Sequence, residues 1–316
     1  MKINLSIMLL SVVFLFVVYS ASLAQPKDNP SLMSEAAILI DAKSGQVLFE
    51  KNAKKKMYPA SITKIVTGII AIEEGDLLEL IQVSKKATEV GGTRVYLLEN
   101  EEVKLKTLVQ GLLINSGNDA GAAIAEHFAG SELGFAKIMN EFVQTKIGVT
   151  DSNFTNPHGL FNEHHYTTAY DMAKVAQYAM KNEVFKEIVA TKELKWNGEG
   201  WKTTIYNHNR LLWDYKGVTG IKNGYVSQSG FTLVTSAERD GVEVITVILN
   251  APSSKKAYND TMVLLNYGFK SILTKKLPSA HTLKRDPEIK LSSIKYIYNT
   301  SEGGNNKEYL WKMNRR

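Results

Sequence analysis

A serine and a lysine three residues apart are the first side chains of this sequence that could do chemistry together. Ser61 and Lys64 follow Pro59 at the start of the segment SITKIVTGIIAIEEG, whose apolar residues recur with helical periodicity. On a helix, this spacing places both side chains on one face, with their Cβ atoms about 5–6 Å apart. A serine hydroxyl needs a base beside it at neutral pH, and a lysine can be that base where burial, a helix dipole or a second cation lowers its pKa. The pair is therefore a candidate nucleophile with its base, and an ordinary helix start with a solvent-facing lysine is the alternative for the pair alone.

Two further short motifs follow this pair in the chain, Ser-Gly-Asn at 116–118 and Lys-Asn-Gly at 222–224. Taken alone, the first is typical of a turn between helices in which Asn118 caps the second helix, and the Asn-Gly of the second is typical of a hairpin turn. Together with Ser-x-x-Lys, they reproduce the order of the three motifs that form one class of serine acyl-transfer site. We therefore predict that the second and third motifs converge on Ser61.

The elements that would position these motifs are strand-rich at both ends and helical in the middle. Segment 36–52 is typical of two strands around a Lys-Ser-Gly turn, and segment 230–250 is typical of two strands around Asp240-Gly241. The predicted fold class is α/β, of the α+β type: an antiparallel sheet with flanking helices and a helical subdomain. Helices are predicted from the apolar stripe at 62, 65, 66, 69 and 70, over 107–129 (two helices interrupted by the Ser-Gly-Asn turn), over 167–180 and over 260–272.

The composition of the 316 residues is that of an exported, folded protein. A hydrophobic content of 44% excludes general disorder. Residues 1–24 combine an early lysine, an apolar run and the small residues Ser22 and Ala24, as in a secretory signal peptide, so we expect cleavage after Ala24 and a location outside the cytoplasm, at the envelope or secreted. We expect the mature chain to contain a linker (25–34), one domain that holds the three motifs (35–272) and a short basic segment (273–316).

Charge and side-chain types exclude several classes of function. The net charge of +6 comes from residues 271–316, which hold ten lysines or arginines and four acidic residues. On an exported protein, such a tail fits an anionic envelope surface better than nucleic acid, and a solvated appendix is the alternative. The sequence has no cysteine, and no metal-ligand spacing joins His158, His164 and His165. We therefore predict no thiolate nucleophile, no metal and no other cofactor.

The three motifs and their surroundings closely resemble the low-molecular-weight penicillin-binding proteins of the D-alanyl-D-alanine carboxypeptidase family. The resemblance implies a β-lactamase/transpeptidase-like fold and a serine-type D-Ala-D-Ala carboxypeptidase that acts on peptidoglycan stem peptides. It also implies that β-lactams, which mimic the D-Ala-D-Ala end, acylate the same serine. It extends from about residue 35 to residue 269 and rests on DAKSGQVLFEKNAKKKMYPASITKIVTG (41–68), NSGNDAG (115–121), TNPHGLFNEHHYTTAYDMA (155–173), NHNRLLW (207–213) and GIKNGY (220–225).

The same resemblance implies a role for each residue of the motifs. Ser61 would attack the carbonyl of the penultimate D-Ala, and Lys64 would take its proton. The backbone N–H groups of Ser61 and Tyr225 would stabilise the oxyanion. Ser116 would relay the proton toward the leaving amine. The implied binding residues are Asn118, for the substrate amide and Lys64; Lys222, for positive potential and the terminal carboxylate; and Asn223, Gly224 and Tyr225, on the strand of the third motif.

Two departures from the family pattern lie on the side expected to bind the carboxylate. Asn223 stands where the family usually has a threonine, and its amide still donates hydrogen bonds but is bulkier and differently aimed. Ala257 stands where an arginine is common, and the adjacent Lys255 and Lys256 cannot supply a bidentate fork. We also expect residues 273–316 to be too few for the family's β-rich second domain and anchoring helix. Acylation chemistry is therefore expected to be retained, while the affinity for free D-Ala-D-Ala is left open.

Three alternatives share part of this pattern. A D,D-endopeptidase would use the same three motifs. A non-catalytic penicillin-recognising or wall-binding protein is motivated by Asn223 and Ala257. A β-lactamase would need a carboxylate base for the deacylating water, and no obvious loop of the Glu-x-x-x-Asn type lies between Asn118 and Lys222.

Overall fold

An antiparallel sheet forms the centre of the structure, a computed structural model that describes residues 29–276, with side chains to residue 272. The early part of the chain supplies two of its strands and the late part supplies three, as predicted. They are β1 (Ala36–Asp41), β2 (Val47–Lys51), β7 (Val218–Val226), β8 (Gly230–Arg239) and β9 (Val242–Ala251). Their order across the sheet is β2-β1-β9-β8-β7, so β7 is an edge strand.

The predicted hairpin turns form at two of the three places where turn residues occur. Gly45 has φ +73° between β1 and β2, and Asp240 and Gly241 have φ +52° and +68° between β8 and β9. Positive φ at both central residues is the conformation for which Asp-Gly is favoured in hairpins. The Asn223-Gly224 dipeptide forms no turn, because β7 continues through it and pairs with β8, with Gly224 opposite Thr232.

Helices fill the middle of the chain, as predicted, and one follows the last strand. Before the first helix, Ala60–Thr63 forms a single 3₁₀ turn, and Val143–Ile147 forms a π turn. The helices of the described residues are α1 (Lys64–Glu74), α2 (Lys85–Thr88), α3 (Leu105–Ile114), α4 (Asn118–Ala129), α5 (Glu132–Phe142), α6 (Ala169–Ala179), α7 (Glu183–Ala190), α8 (Leu211–Asp214) and α9 (Ser254–Lys276).

Helix α1 lies in the core on one face of the sheet, and α9 covers the other face. The apolar stripe that predicted α1 is fully buried, together with Lys64 at the start of the helix. Successive residues of β1 point to opposite faces of the sheet: Ile38 belongs to the core that includes α1, whereas Leu39 contacts Gly268 of α9. The sheet is therefore buried on both faces, and α1 is held too firmly to turn its lysine to solvent.

Two small two-stranded sheets were not predicted. Strand β3 (Leu80–Gln82) pairs with β4 (Glu102–Lys104), and β5 (Glu193–Asn197) pairs with β6 (Lys202–Tyr206). These strands are three to five residues long and mostly polar, so their hydrophobic periodicity is weak.

The predicted signal peptide and nearly all of the predicted basic segment lie outside the described residues. Between residues 29 and 276, no helix is both long enough and apolar enough to cross a membrane.

Candidate active site

The 3₁₀ turn before α1 presents Ser61 beside Lys64, the first residue of that helix. Lys64 Nζ donates a hydrogen bond of 3.1 Å to Ser61 Oγ. Ala60, immediately before the serine, has a φ of +51°, in the left-handed region that an alanine rarely adopts. Tight backbone contacts on both sides of the turn, described below, hold this conformation.

Lys64 is completely buried, and its ammonium group has three acceptors. Besides Ser61 Oγ, these are Asn118 Oδ1 at 2.7 Å and the His158 carbonyl oxygen at 2.7 Å. Burial lowers the pKa of Lys64 well below its ordinary value, and the charge of Lys222 lowers it further, against an opposing effect of Asp119. The structure thus supplies two of the effects that make a lysine a base, burial and a second cation.

The Ser-Gly-Asn motif forms the turn between α3 and α4, as predicted, but Asn118 is not the cap of α4. Gly117 is the N-cap residue, and Asn118 begins the helix with its side chain directed to Lys64. Its Nδ2 donates to the Gly91 carbonyl at 2.7 Å. Ser116 is buried, has a φ of +65°, and its hydroxyl has no hydrogen-bond partner among the described residues.

The third motif runs along β7, next to the nucleophile. Lys222 is buried, and burial lowers its pKa to about 7. Its Nζ lies 3.1 Å from the Asn223 carbonyl oxygen and 3.4 Å from Asn223 Oδ1. A Cβ atom at Gly224 would lie 2.6 Å from the Ser61 nitrogen, so only a glycine lets β7 pass this close. Thr232, opposite Gly224, donates from Oγ1 to the Pro59 carbonyl at 2.9 Å and ties the turn to the sheet.

A loop over residues 155–168, which we call the histidine loop, closes the other side of the nucleophile turn. A Cβ atom at Gly159, whose φ is +86°, would lie 1.9 Å from the Ala60 carbonyl oxygen. Thr67, near Lys64 on α1, donates to the Pro157 carbonyl at 2.6 Å. The loop and β7 therefore pack against the backbone at Ser61 from two sides.

The three histidines that a metal site would use are separated in this loop. His165 Nδ1 accepts the Thr155 N–H at 3.0 Å, so its Nε2 carries the proton and donates to Thr63 Oγ1 at 2.8 Å; burial lowers the pKa of His165 to about 3. His158 Nε2 lies 3.3 Å from Glu132 Oε1, and His164 is exposed. Over residues 29–272, no group of three such side chains could hold a metal ion.

A cleft of about 360 Å³ opens beside Ser61. Two exposed aromatic rings stand at its rim, Phe161 on the histidine loop and Tyr225 on β7. The cleft is lined by Ser61, Gly92, Thr93, Asn118, His158, Gly159, Leu160, Phe161, Tyr225, Val226, Ser227 and Gln228. The cleft therefore extends from Ser61 to the end of β7.

The sequence did not reveal Thr232 and Gly159, which contact the backbone around Ser61. Burial and, to a smaller extent, the charges of Lys222 and Lys64 lower the pKa of His208, in the segment NHNRLLW, to about 4. At the predicted arginine position, Ala257 is buried in the first turn of α9, while Lys255 and Lys256 are exposed.

One Glu-x-x-x-Asn sequence does lie between Asn118 and Lys222, but it does not form a loop. It runs from Glu193 to Asn197 and forms strand β5. Because it is a paired strand with an exposed glutamate, it is not a loop that could hold a deacylating base against Ser61.

A serine beside a buried lysine, in the turn before a core helix and next to the edge strand of an antiparallel sheet, is the arrangement expected of a serine acyltransferase. Comparison with known proteins gives the family. The model of the D-alanyl-D-alanine carboxypeptidase family, peptidase S11, matches residues 23–253. The chain belongs to this family, which confirms the predicted family and enzyme class.

Named relatives and solved structures agree with this assignment. The chain is 33% identical over 307 residues to D-alanyl-D-alanine carboxypeptidase DacF of Bacillus subtilis, covering 94% of this chain and 78% of the relative. It is 34% identical over 269 residues to DacC of Escherichia coli, covering 81% and 66%. Among structures, DacD of Francisella tularensis matches with a TM-score of 0.74 at 28% identity, over 78% of this chain and 72% of that one. The Streptomyces K15 DD-transpeptidase matches with a TM-score of 0.72 at 26% identity, over 77% and 99%. The predicted transpeptidase-like fold is thereby confirmed.

Proposed function

We propose that this chain removes the terminal D-Ala from peptidoglycan stem peptides through an acyl-enzyme on Ser61. The family supplies the reaction and the substrate class. One observation supports the assignment of the nucleophile: a fully buried lysine of lowered pKa lies 3.1 Å from the Ser61 hydroxyl and has no acidic partner in hydrogen-bond contact. A buried lysine that does not hold a full charge can accept a proton, so Ser61 becomes a nucleophile at neutral pH.

The proposed reaction has two steps. Lys64 takes the proton of Ser61 as Oγ attacks the carbonyl carbon of the penultimate D-Ala, and the N–H groups of Ser61 and Tyr225 stabilise the oxyanion. The C–N bond then breaks, Ser116 relays the proton from Lys64 to the leaving amine, and D-Ala departs. In the second step, water attacks the ester, Lys64 accepts its proton, and Ser61 is released with its own proton restored.

The remaining motif residues bind the substrate in this proposal. Asn118 holds Lys64 through Oδ1 and is available to the substrate amide at the cleft wall. Lys222 and Asn223 attract the terminal carboxylate, and Gly224 lets β7 lie close to Ser61. A β-lactam would acylate Ser61 in the same way, because its ring amide takes the place of the scissile bond.

We propose a location outside the cytoplasm for this reaction. The support is the signal-like sequence of residues 1–24 and the substrate class of the family. The domain limits 25–34 for the linker and 35–272 for the catalytic domain belong to the same proposal. So does contact between the basic residues of 273–316 and an anionic envelope surface, which charge alone supports.

Mass spectrometry of the intact protein after incubation with benzylpenicillin tests the nucleophile, together with an assay for D-Ala released from diacetyl-Lys-D-Ala-D-Ala. We expect one covalent adduct, mapped to Ser61, and release of D-Ala. Ser61→Ala should show neither. Ser227→Ala is the matched control, because Ser227 is an exposed serine of the same cleft, and it should retain both.

The outcomes separate the alternatives. An adduct without release of D-Ala would support the non-catalytic penicillin-recognising protein. Cleavage of a crosslinked dimer in preference to the pentapeptide would support an endopeptidase, and an adduct mapped to another residue would refute the site.

A further inference from the structure

The cleft beside Ser61 lies on one side of the nucleophile. Ser61 and Asn118 line it, whereas Lys222 and Asn223 are not among the described residues that do so. In the proposed mechanism, Asn118 binds the substrate amide and Lys222 attracts the terminal carboxylate. The cleft is therefore on the side of the acyl group, where it would take the part of the stem peptide that precedes the two D-Ala residues.

Two exposed aromatic residues line this cleft, one on each of the elements that pack against the backbone at Ser61. Phe161 follows Gly159 by two residues on the histidine loop, and Tyr225 follows Gly224 directly on β7. The exposed fractions of the two aromatic residues are 45% and 54%. Consecutive Cα atoms are about 3.8 Å apart, so both side chains begin within about 8 Å of a glycine that touches the nucleophile turn. A substrate bonded to Ser61 is therefore within reach of both rings.

Each of these two rings packs against a second ring. The Tyr58 ring meets the Phe161 ring edge-on, with centroids 5.0 Å apart and planes at 79°. The Phe231 and Tyr225 rings have centroids 4.5 Å apart and planes at 33°, and the two residues pair across β8 and β7. Tyr58 directly precedes Pro59, at the start of the nucleophile turn. Aromatic pairs of this kind favour defined ring orientations, so both rings are held at the cleft before a substrate arrives.

The cleft wall around these rings is apolar and uncharged. Leu160 and Val226 add apolar side chains beside Phe161 and Tyr225. None of the described residues that line the cleft is a lysine, an arginine, an aspartate or a glutamate. Burial keeps the pKa of His158, which also lines it, below the ordinary value, so the imidazole is neutral at neutral pH. Such a wall recognises apolar surface rather than charge.

We infer that Phe161 and Tyr225 bind the aliphatic side chain of the residue that precedes D-Ala-D-Ala and thereby select stem peptides with a long side chain at this position. This inference rests on the proposed function. A diamino acid fits, because its methylene groups can lie against the rings while its terminal amine or amide stays in solvent beyond the rim. The methylene groups stay in contact with the rings through the reaction, so their burial raises kcat/KM. The rings take no part in proton transfer.

The test compares D-Ala release from diacetyl-Lys-D-Ala-D-Ala with release from acetyl-Gly-D-Ala-D-Ala, which lacks the side chain. We expect the parent enzyme to favour the lysine peptide about tenfold or more in kcat/KM, the effect of a few buried methylene groups. Phe161→Ala should reduce this preference to about threefold or less, and Phe161→Leu, which keeps an apolar side chain, should retain most of it. Trp213→Ala is the matched control, because Trp213 is an exposed aromatic residue that does not line the cleft, and the preference should persist.

Each other outcome overturns either the inference or the function. A preference that persists in Phe161→Ala, or a parent enzyme that cleaves both peptides equally well, refutes the inference and leaves the proposed function intact. A fall in kcat/KM by the same factor for both peptides shows that Phe161 supports the histidine loop instead. If Phe161→Ala fails to fold, the same ratio measured with Phe161→Gln decides, because glutamine removes the apolar ring but keeps a long side chain. A parent enzyme that releases no D-Ala from either peptide refutes the proposed function, and the inference with it.

Discussion

The two halves of this site differ in how far they are organised before any substrate arrives. One half, here called the nucleophile half, contains Ser61 and Lys64. The Lys64 ammonium has three acceptors, and the backbone at Ser61 is packed between β7 and the histidine loop. On the side proposed to bind the substrate carboxylate, here called the carboxylate half, Lys222 Nζ bonds only to Asn223 among the described residues. In the proposed mechanism, the fold therefore fixes the geometry of acyl transfer in advance, while recognition of the carboxylate depends on partners that the substrate supplies.

The two halves also differ in what sets the pKa of their buried lysines, Lys64 and Lys222. Burial lowers the pKa of both lysines because it disfavours charge, and the charge of Lys222 lowers the pKa of Lys64 further. In the proposed mechanism, a bound carboxylate acts most strongly on Lys222 and favours its charged form, which in turn favours a neutral Lys64. Binding of the substrate carboxylate would therefore help Lys64 to act as the proposed base.

The largest effect is expected from a substitution that forces the two sides of the nucleophile turn apart. At Gly159, an alanine Cβ would lie 1.9 Å from the Ala60 carbonyl oxygen, and the φ of +86° would be strained. We expect Gly159→Ala to destabilise the fold by more than about 3 kcal/mol and to abolish acylation by a β-lactam. Denaturant unfolding and penicillin binding measure the two effects.

Gly130→Ala is the control for backbone strain without a collision. Gly130 has a φ of +69°, and nothing lies within 4 Å of its Cβ position. Its replacement should cost about 1 kcal/mol and leave acylation intact. Equal effects of the two substitutions would show that the histidine loop does not constrain Ser61.

At Lys222, we expect the buried charge to lower the free energy of unfolding while it serves substrate binding. Its pKa is about 7 in the fold and 10.5 in an unfolded chain, so the native state binds fewer protons between these values and stability rises with pH across that window. We expect Lys222→Met to stabilise the protein by on the order of 1–4 kcal/mol below pH 7, where the cost of the buried charge is complete, and by little near pH 10. Its kcat/KM should fall by about two orders of magnitude or more.

Urea unfolding at pH 6 and pH 10 tests this prediction. Lys216→Met is the matched control, because Lys216 is exposed just before β7 and should show no pH-dependent gain. A less stable Lys222→Met protein at pH 6 would contradict the account of the buried charge.

A smaller effect is expected in the pH dependence of the reaction. The value of kcat/KM should rise with pH as Lys64 loses its proton and should fall again as Lys222, with a pKa of about 7, loses its charge. In the substrate complex, the carboxylate should raise the pKa of Lys222, so the alkaline limb of kcat should lie about one unit or more above that of kcat/KM. Coincident alkaline limbs would show that the carboxylate does not meet Lys222.

Much of the scaffold could be predicted from local patterns. The stripe at 62, 65, 66, 69 and 70 predicted α1 because a buried helix repeats its apolar residues every three to four positions, and all five are buried. Asp240-Gly241 predicted its hairpin because few other dipeptides accept two positive φ angles. Asn223-Gly224 carries the same local signal yet lies within β7, so only the order of the three motifs indicated its place in a strand.

The rest of the site depends on contacts between distant parts of the chain. Gly159 must be a glycine because of Ala60, and Asn118 is directed to Lys64 rather than to its own helix end. The turn that holds His208 is fixed against α7 and β8 by two asparagines. Local sequence periodicity carries no information about contacts between distant residues, so the roles of these residues could not be predicted from the sequence.

The most direct test of the division between the halves compares Asn118→Ala with Asn223→Thr on diacetyl-Lys-D-Ala-D-Ala. Asn118→Ala removes an acceptor from Lys64, so kcat should fall about a hundredfold, while loss of the contact with the substrate amide should raise KM by a smaller factor. Asn223→Thr restores the family's hydroxyl, so KM should fall a few-fold, about 1 kcal/mol of binding, with kcat unchanged and turnover raised at low substrate concentration. A larger change in KM than in kcat for Asn118→Ala together with a change in kcat for Asn223→Thr, or a fall in turnover with threonine, would contradict it.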